Sequence, residues 1–115
     1  QLGCECLPMP HDEQGISAES LLRELGQRRL TNVLVEGGSH VLGSFFDAGL
    51  IDEIHAFVAS RIIGDATARS AVVGLGHARI ADASQFEVVE MLRSGDDCLI
   101  RARRRIGSDV RQALA

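Results

Sequence analysis

A short apolar run that ends in two glycines is the feature that most constrains the fold of this chain. The run is Val33-Leu34-Val35, and Glu36-Gly37-Gly38-Ser39 follow it directly. An unbroken apolar run of this kind is typical of a strand buried on both faces of a parallel sheet. Beyond the glycines, apolar residues recur at helical spacing, and a second strand-like run begins after the helix. The pattern therefore predicts a strand–turn–helix–strand unit of an α/β protein.

Neighbouring patterns add further elements to this unit. Ser17 is a favoured N-cap, and Leu21, Leu22 and Leu25 form an apolar stripe behind it. Two strands joined by a helix are expected to make a right-handed crossover. In chain order we expect a strand at residues 3–7, a helix at about 18–28, a strand at 33–36, a helix capped by Ser39 and ended by Gly49, and a strand at 53–59.

The last part of the chain has a different pattern. Residues 60–84 show little periodicity and predict a long connection with one turn of helix. Residues 86–92 and 98–104 predict an antiparallel hairpin around Gly95. The expected fold is thus α/β, with a mostly parallel sheet, flanking helices and a C-terminal antiparallel hairpin. Residues 106–115 are expected to be a tail that follows a domain spanning residues 1–105.

Composition limits the class of function. Hydrophobic residues make up 45% of the 115 residues, which is enough for one domain with a core. Every basic residue is Arg, so neither a Schiff-base lysine nor a P-loop lysine occurs in the sequence. The net charge of −4 argues against a nucleic-acid-binding protein. The arginines between Arg101 and Arg105 are accordingly interpreted as a solvated strand edge or tail.

The three cysteines and four histidines predict no metal site and no disulfide framework. Cys4 and Cys6 lie two apart, Cys98 is remote, and the total is odd. No apolar run reaches the roughly 18 residues that a membrane-spanning helix needs. We therefore expect a cytoplasmic protein with reduced thiols. The sequence opens without Met and directly into a strand-like run, so we expect a piece of a longer domain.

The double glycine predicts an anion-binding turn. Absent side chains allow a ligand to approach the backbone, and the first amides of a helix are unpaired and carry partial positive charge. A pyrophosphate fits such a turn. The sequence is neither GxGxxG nor a Walker loop, however, and a tight turn that only packs helix against strand has the same pattern. Glu36 sits directly before the glycines, where a carboxylate on the same side would repel a phosphate.

A longer pattern resembles one known family. VLVEGGS at residues 33–39, FFDAGLIDE at 45–53, Ala59 and Gly64 resemble the reductase domain of the bifunctional riboflavin-biosynthesis deaminase–reductase family. The resemblance runs from about residue 1 to 105 and covers roughly the second half of such a reductase domain. Ser60 stands where the family usually has Pro, and the zinc-deaminase motif PCxxC is absent from this sequence.

The resemblance implies a fold, a cofactor and a substrate. It implies a partial dihydrofolate-reductase-like fold and an NADPH-dependent enzyme that reduces 5-amino-6-(5-phosphoribosylamino)uracil. Gly37, Gly38 and Ser39 would bind the NADPH pyrophosphate, with Val41 and Leu42 bracing the turn. Glu36 would face the substrate and accept hydrogen bonds from ribose hydroxyls; in the alternative reading, it caps a neighbouring backbone group. No residue is expected to act as a catalytic acid, base or nucleophile.

Several other polar residues have structural interpretations. Asp52 and Glu53 are adjacent on a strand and point to opposite faces, so they predict a corner rather than a carboxylate pair. His55 predicts a hydrogen-bonded histidine in the core or at an interface. His40, in the first helical turn, is expected to be exposed. Arg61 follows a strand end and could meet a phosphate, although a structural role is favoured.

Two alternatives to the reductase fragment remain open at this stage. The chain could be a non-catalytic module that keeps the fold and self-associates through its strand edges, and a homodimer is the expected assembly in either case. It could also belong to a dihydrofolate-reductase-like protein that acts on a pterin.

Overall fold

The computed structural model describes residue 3 and residues 5–12, 15–83 and 85–105. The chain divides into two compact units. The first contains the chain up to Leu50 together with Ser70–Leu75, and the second contains Ile51–Arg69 and the chain from Gly76 onward. The expected tail at residues 106–115 lies outside the described residues.

The first unit is built on two helices. Helix α1 spans Ala18–Gln27, and the Ser17 side chain accepts a hydrogen bond from the Ser20 amide at its start. The expected cap and helix are therefore confirmed. A two-residue antiparallel ladder precedes α1 and joins strand β1, His11–Asp12, to strand β2, Gly15–Ile16.

Helix α2 spans Ser39–Asp47 and begins directly after the double glycine. Its N-cap is Gly38, which has no side chain to accept a hydrogen bond, so the expected capping role of Ser39 is wrong. Ser39 is already the first helical residue and therefore lies beyond the capping position. At the other end Gly49 has φ 70°, as expected for the residue after the helix. The Leu50 amide donates to the Phe45 carbonyl at 2.9 Å, which closes the final turn.

The second unit is a three-stranded antiparallel sheet in the order β3-β5-β4. Strand β3 spans Glu53–Val58, β4 spans Phe86–Ser94 and β5 spans Asp97–Arg104. The expected hairpin is confirmed: β4 and β5 are joined by Gly95 and Asp96, and Gly95 has φ 64°, which suits a two-residue turn. A bulge lies between Val88 and Glu90. The connection before β4 contains a single 3-10 turn, Ile80–Asp82.

The expected parallel crossover is not formed by the described residues. Residues 33–36 are not a strand, and Val33 and Leu34 are 41% and 78% exposed. Gly3 and residues 5–7 form no strand either. All strand pairs among the described residues are antiparallel, so the expected mostly parallel sheet is wrong for this part of the chain. A strand exists only through hydrogen bonds to a neighbouring strand, and the apolar run has no such neighbour among the residues that the structure describes.

Little apolar surface is buried. Among the described residues only Ala18, Phe45 and Ala102 are buried hydrophobic side chains. Many large apolar side chains are exposed instead, among them Leu34, Ile62, Ile63, Leu75 and Ile80. The chain thus has the composition of a domain with a core, but it buries few of the residues that would make one.

Candidate functional site

The candidate site is the turn that leads from Glu36 into helix α2. Gly37 has φ 145°, a conformation that L residues rarely adopt, so glycine is required there by the backbone. Gly38 has φ −71° and ψ 160°, which any residue can adopt. A Cβ added to Gly38 would have no heavy atom within 4 Å. Neither the conformation nor the packing of the chain explains the glycine at position 38, whereas a ligand that approaches the backbone would.

The amides at this turn are free. None of the backbone N–H groups of Gly37, Gly38, Ser39 and His40 donates a hydrogen bond within the described part of the chain. The two glycines and His40 are exposed, and Ser39 is half-buried. Helix α2 has no acidic residue in its first turn. Unpaired amides at a helix start carry partial positive charge, so the turn is suited to an anion.

Two of these amides are held in a fixed orientation. The Gly38 carbonyl accepts hydrogen bonds from the Val41 and Leu42 amides at 3.0 and 3.3 Å. The Ser39 carbonyl accepts a hydrogen bond from the Val73 amide at 3.0 Å. A peptide unit is planar, so fixing the carbonyl of one residue also fixes the N–H of the next. The Ser39 and His40 amides are therefore oriented before any ligand binds.

The segment that supplies the Val73 amide lies along α2, and we call residues Val73–Leu75 the strap. A Cβ on Gly43 would overlap the Val73 carbonyl oxygen, and a Cβ on Gly74 would lie 2.6 Å from the Asp47 carboxylate oxygens. The Leu75 amide donates to Asp47 Oδ2 at 2.9 Å. Two glycines and one carboxylate thus allow the strap to lie in direct contact with the helix.

Glu36 is exposed and makes no hydrogen bond or ion pair with another described residue. The interpretation in which it caps a neighbouring backbone group therefore gains no support from the structure. A carboxylate without an intrachain partner is free to accept hydrogen bonds from hydroxyl groups of a ligand.

A separate polar cluster lies on one face of the sheet, and Glu53 is at its centre. Arg103 Nε donates to Glu53 Oε2 at 2.7 Å, and His55 Nε2 lies 2.7 Å from Glu53 Oε1. Arg101 Nε lies 3.3 Å from the same Oε1 without the alignment of a hydrogen bond, while its Nη1 pairs with Glu90 Oε2 at 2.9 Å. The hydrogen bond from Arg103, followed by that from His55, lowers the pKa of Glu53 to about 2.

This cluster agrees with the structural interpretation of Glu53 and His55. The expectation that the arginines lie at a strand edge or in a tail is wrong for Arg101 and Arg103, which lie on the central strand β5 and form ion pairs. Glu53 faces Arg103 across the sheet, and the Asp52 carbonyl accepts the Arg104 amide at 2.8 Å, so the two acidic residues do not form a pair. His55 is hydrogen-bonded as expected, but it is exposed rather than buried in the core. Arg61 is exposed and follows strand β3 in the second unit.

Among the described residues, no cluster of His, Cys, Asp or Glu has the arrangement of a metal site, and Cys6 and Cys98 are free thiols. In the same part of the chain, no helix combines the length and the apolar character that crossing a membrane requires.

Sequence reasoning missed the strap and the residues that hold it. The available signal was Gly43, because a glycine in the middle of a helix often marks close packing. The contact between Asp47 and the strap joins residues 28 positions apart, which no local pattern reveals.

Most of this chain is similar in sequence to known proteins. Residues 6–100 match the family described as the RibD C-terminal domain. The RibD protein of Haemophilus influenzae is 33% identical over 94 residues, which are 82% of this chain and 24% of that protein. The 5-amino-6-(5-phosphoribosylamino)uracil reductase of Buchnera aphidicola is 32% identical over 82 residues, 71% of this chain and 39% of that protein.

A solved structure agrees with these matches. RibD of Acinetobacter baumannii superposes on this chain with a TM-score of 0.69 and is 24% identical to it in sequence. The superposition covers 89% of this chain and 26% of that protein, so the two have the same α/β fold over this region. The chain spans about a quarter of the length of the RibD proteins it matches. Since the family match covers most of its residues, the chain belongs to the RibD C-terminal domain family.

Proposed function

We propose that this chain forms the pyrophosphate-binding part of an NADPH-dependent reductase of riboflavin biosynthesis. The substrate is 5-amino-6-(5-phosphoribosylamino)uracil, after the name of the Buchnera relative. The RibD relative of Haemophilus influenzae is about four times as long as the segment aligned with this chain, and we propose that the complete activity needs further protein as well. We further propose that the complete domain has a dihydrofolate-reductase-like fold and works in the cytoplasm.

One observation carries the proposal: the backbone amides of Ser39 and His40 are unpaired within the described residues and fixed by their neighbours. Fixed donors bind an anion without the entropic cost of ordering them first. A Cβ on Gly38 would meet no atom of the described residues within 4 Å, so there is space for a phosphate oxygen to reach these donors. The residues present therefore fit a dinucleotide's linking phosphates.

The chain's own residues would bind and align rather than react. NADPH supplies the hydride when it is bound, so the protein needs no nucleophile for the reduction. The turn at residues 37–40 would hold the pyrophosphate, and Val41 and Leu42 would keep the Gly38 carbonyl in place. Alignment of the sugar carbon with the nicotinamide is then the principal requirement for rate.

Glu36 would align the substrate. Its exposed carboxylate has no partner among the described residues and precedes the anion-binding amides by one to four positions. We propose that it turns away from the phosphates and accepts hydrogen bonds from the ribose hydroxyls. Such bonds keep the sugar oriented, and they also remove the conflict between a carboxylate and a phosphate at one turn.

The experiment is a titration of the full-length protein with NADPH, followed by nicotinamide fluorescence, in wild type and Gly38→Ala. Alanine is compatible with the backbone at position 38 and meets no atom of the described residues, so we expect folding to be unaffected. Its methyl group would occupy the space of the phosphate. The loss of one or two hydrogen bonds predicts an affinity about tenfold weaker.

Gly26→Ala is the matched control, because Gly26 lies in α1 and an added Cβ meets nothing there either. Its NADPH affinity should equal that of wild type. If wild type does not bind NADPH at millimolar concentration, or if Gly38→Ala binds it as well as wild type does, the proposed site is wrong.

A second candidate function, self-association, is favoured by the exposed apolar residues of the sheet. Val58, Val88 and Met91 are 50%, 54% and 64% exposed. Strand pairing places Val88 opposite Ala102 and Met91 opposite Ile100, with apolar residues of β3 across from both. We propose that this apolar face supports a homodimer, since exposed apolar surface of this kind usually marks an interaction site.

A further inference from the structure

Asp47 combines an unfavourable position with a specific contact. It is the last residue of α2, where the helix dipole disfavours a negative charge. Its carboxylate nevertheless accepts the Leu75 amide at 2.9 Å. Gly74 packs directly against the same carboxylate, since a Cβ there would lie 2.6 Å from both oxygens. The position is therefore explained by what Asp47 holds rather than by the stability of the helix.

The strap connects Asp47 to the opposite end of the helix. Two residues before Leu75, the Val73 amide donates to the Ser39 carbonyl at 3.0 Å. That carbonyl belongs to the same planar peptide unit as the His40 N–H. Asp47 at the C-terminal end of α2 is thus linked through three strap residues to an amide of the candidate site at the N-terminal end.

We infer that Asp47 is a positioning residue for the pyrophosphate-binding turn, and that it acts through the strap on the orientation of the His40 amide. The inference rests on the proposed function. Without the carboxylate, the strap loses its anchor at Leu75, and the hydrogen bond from Val73 to Ser39 weakens with it. The Ser39–His40 peptide can then rotate, and cofactor binding must order it again.

The test uses Asp47→Ala in the full-length protein and three measurements: the Kd for NADPH, kcat at saturating NADPH, and hydrogen exchange at the Val73 amide. We expect Kd to rise about tenfold, as for a lost hydrogen bond to a charged group. We expect kcat to stay within about twofold, because bound cofactor restores the orientation of the turn. Exchange at Val73 should become faster.

Two further variants separate positioning from general destabilisation. Gly43→Ala displaces the strap from the other side, because the added Cβ overlaps the Val73 carbonyl, and it should raise Kd in the same way. Ser17→Ala removes the cap of α1, a hydrogen bond from the Ser20 amide that involves no strap residue. It should lower thermal stability and leave both Kd and Val73 exchange unchanged.

Asp47→Asn is a milder variant, included in case Asp47→Ala does not fold. Its amide oxygen can still accept the Leu75 N–H, so its Kd should lie between those of wild type and Asp47→Ala. The inference is overturned if Asp47→Ala or Asp47→Asn accelerates Val73 exchange without weakening NADPH binding. If Gly38→Ala weakens binding in that same experiment, only the positioning role of Asp47 is wrong. If Gly38→Ala has no effect either, the proposed site itself fails.

Discussion

Arg29 and Gly49 occupy equivalent positions, one residue beyond the cap of each helix. Both are left-handed, with φ 63° and φ 70°. The hydrogen bonds match as well: Leu30 donates to the Leu25 carbonyl at 3.0 Å, and Leu50 donates to the Phe45 carbonyl at 2.9 Å. Glycine adopts this conformation without strain, whereas an L residue with a side chain does not. The end of α1 is therefore strained, and the end of α2 is not.

Arg29→Gly should stabilise the protein, because it keeps the terminal hydrogen bonds and removes the strain. The expected gain is about 1 kcal/mol in the free energy of unfolding, measured by chemical denaturation. Arg29→Ala is the control: it removes the guanidinium and keeps the strained conformation, so it should not stabilise. Equal gains in the two variants would show that the side chain, rather than the backbone, is responsible.

Some of the residues that begin and end the helices could be predicted from sequence signals close to them in the chain. Ser17 and Gly49 were identified from the sequence, because a cap and a terminal glycine have their effect within one helical turn. Arg29 could not be identified in that way, since nothing in its sequence neighbourhood announces a left-handed arginine. Gly38 was not identified as a cap either. It is the N-cap of α2, whereas the sequence pattern placed the cap one residue later, at Ser39.

At the scale of elements, the sheet is held on one face by charges around Glu53. Its carboxylate bonds to Arg103 and His55, and these contacts lower its pKa from 4.5 to about 2. A carboxyl group with a lower pKa in the folded state contributes stability above its unfolded pKa. That contribution is lost as the pH falls from about 4.5 toward 2.

Glu53→Gln should remove this acid dependence. Wild type should lose stability between pH 4.5 and 2, and the variant should show a shallower loss over the same range. Thermal unfolding measured across the range tests the difference. Asp96→Asn is a suitable control, because Asp96 is exposed in the turn between β4 and β5, its side chain makes no hydrogen bond or ion pair with a described residue, and it should retain the wild-type profile. Identical profiles for wild type and Glu53→Gln would contradict the role given to the cluster.

Elements with local causes were predicted, and so was strand β3, whereas the predictions that failed concern segments whose structure depends on distant partners. Helices α1 and α2 and the hairpin of β4 and β5 follow from periodicity and turn residues close in the chain. Residues 33–36 have the composition of a buried strand but no strand partner among the described residues. Composition can predict that a segment is suited to a sheet, but the ladder depends on what lies beside it. The strap escaped prediction for the same reason.

At the scale of the whole molecule, far more apolar residues are exposed than are buried among the described residues. Three hydrophobic residues are buried among those described, while the sheet exposes Val58, Val88 and Met91. The chain also spans about a quarter of the RibD proteins it matches. Contacts with further protein surface, from the rest of a domain or from a second copy, would remove this apolar area from water.

The proposed homodimer predicts a concentration-dependent mass for the full-length protein. The double variant V88T/M91Q makes two of the three exposed positions of the apolar face polar and should weaken association about tenfold or more. Sedimentation equilibrium measures the dimer constant directly. A control variant, Ile62→Thr, changes a 97% exposed side chain in the connection and should leave the constant unchanged. A monomeric wild type, or a dimer unaffected by the double variant, would contradict this assembly.

The central claim is that the amides at the start of α2 bind the linking phosphates of NADPH. Amide chemical shifts of the full-length protein, recorded by NMR during an NADPH titration, test it most directly. The account predicts that Gly38, Ser39 and His40 show the largest downfield shifts and saturate together, because hydrogen bonds to phosphate oxygens deshield the donors. Saturable NADPH binding that leaves these three resonances in place would contradict it.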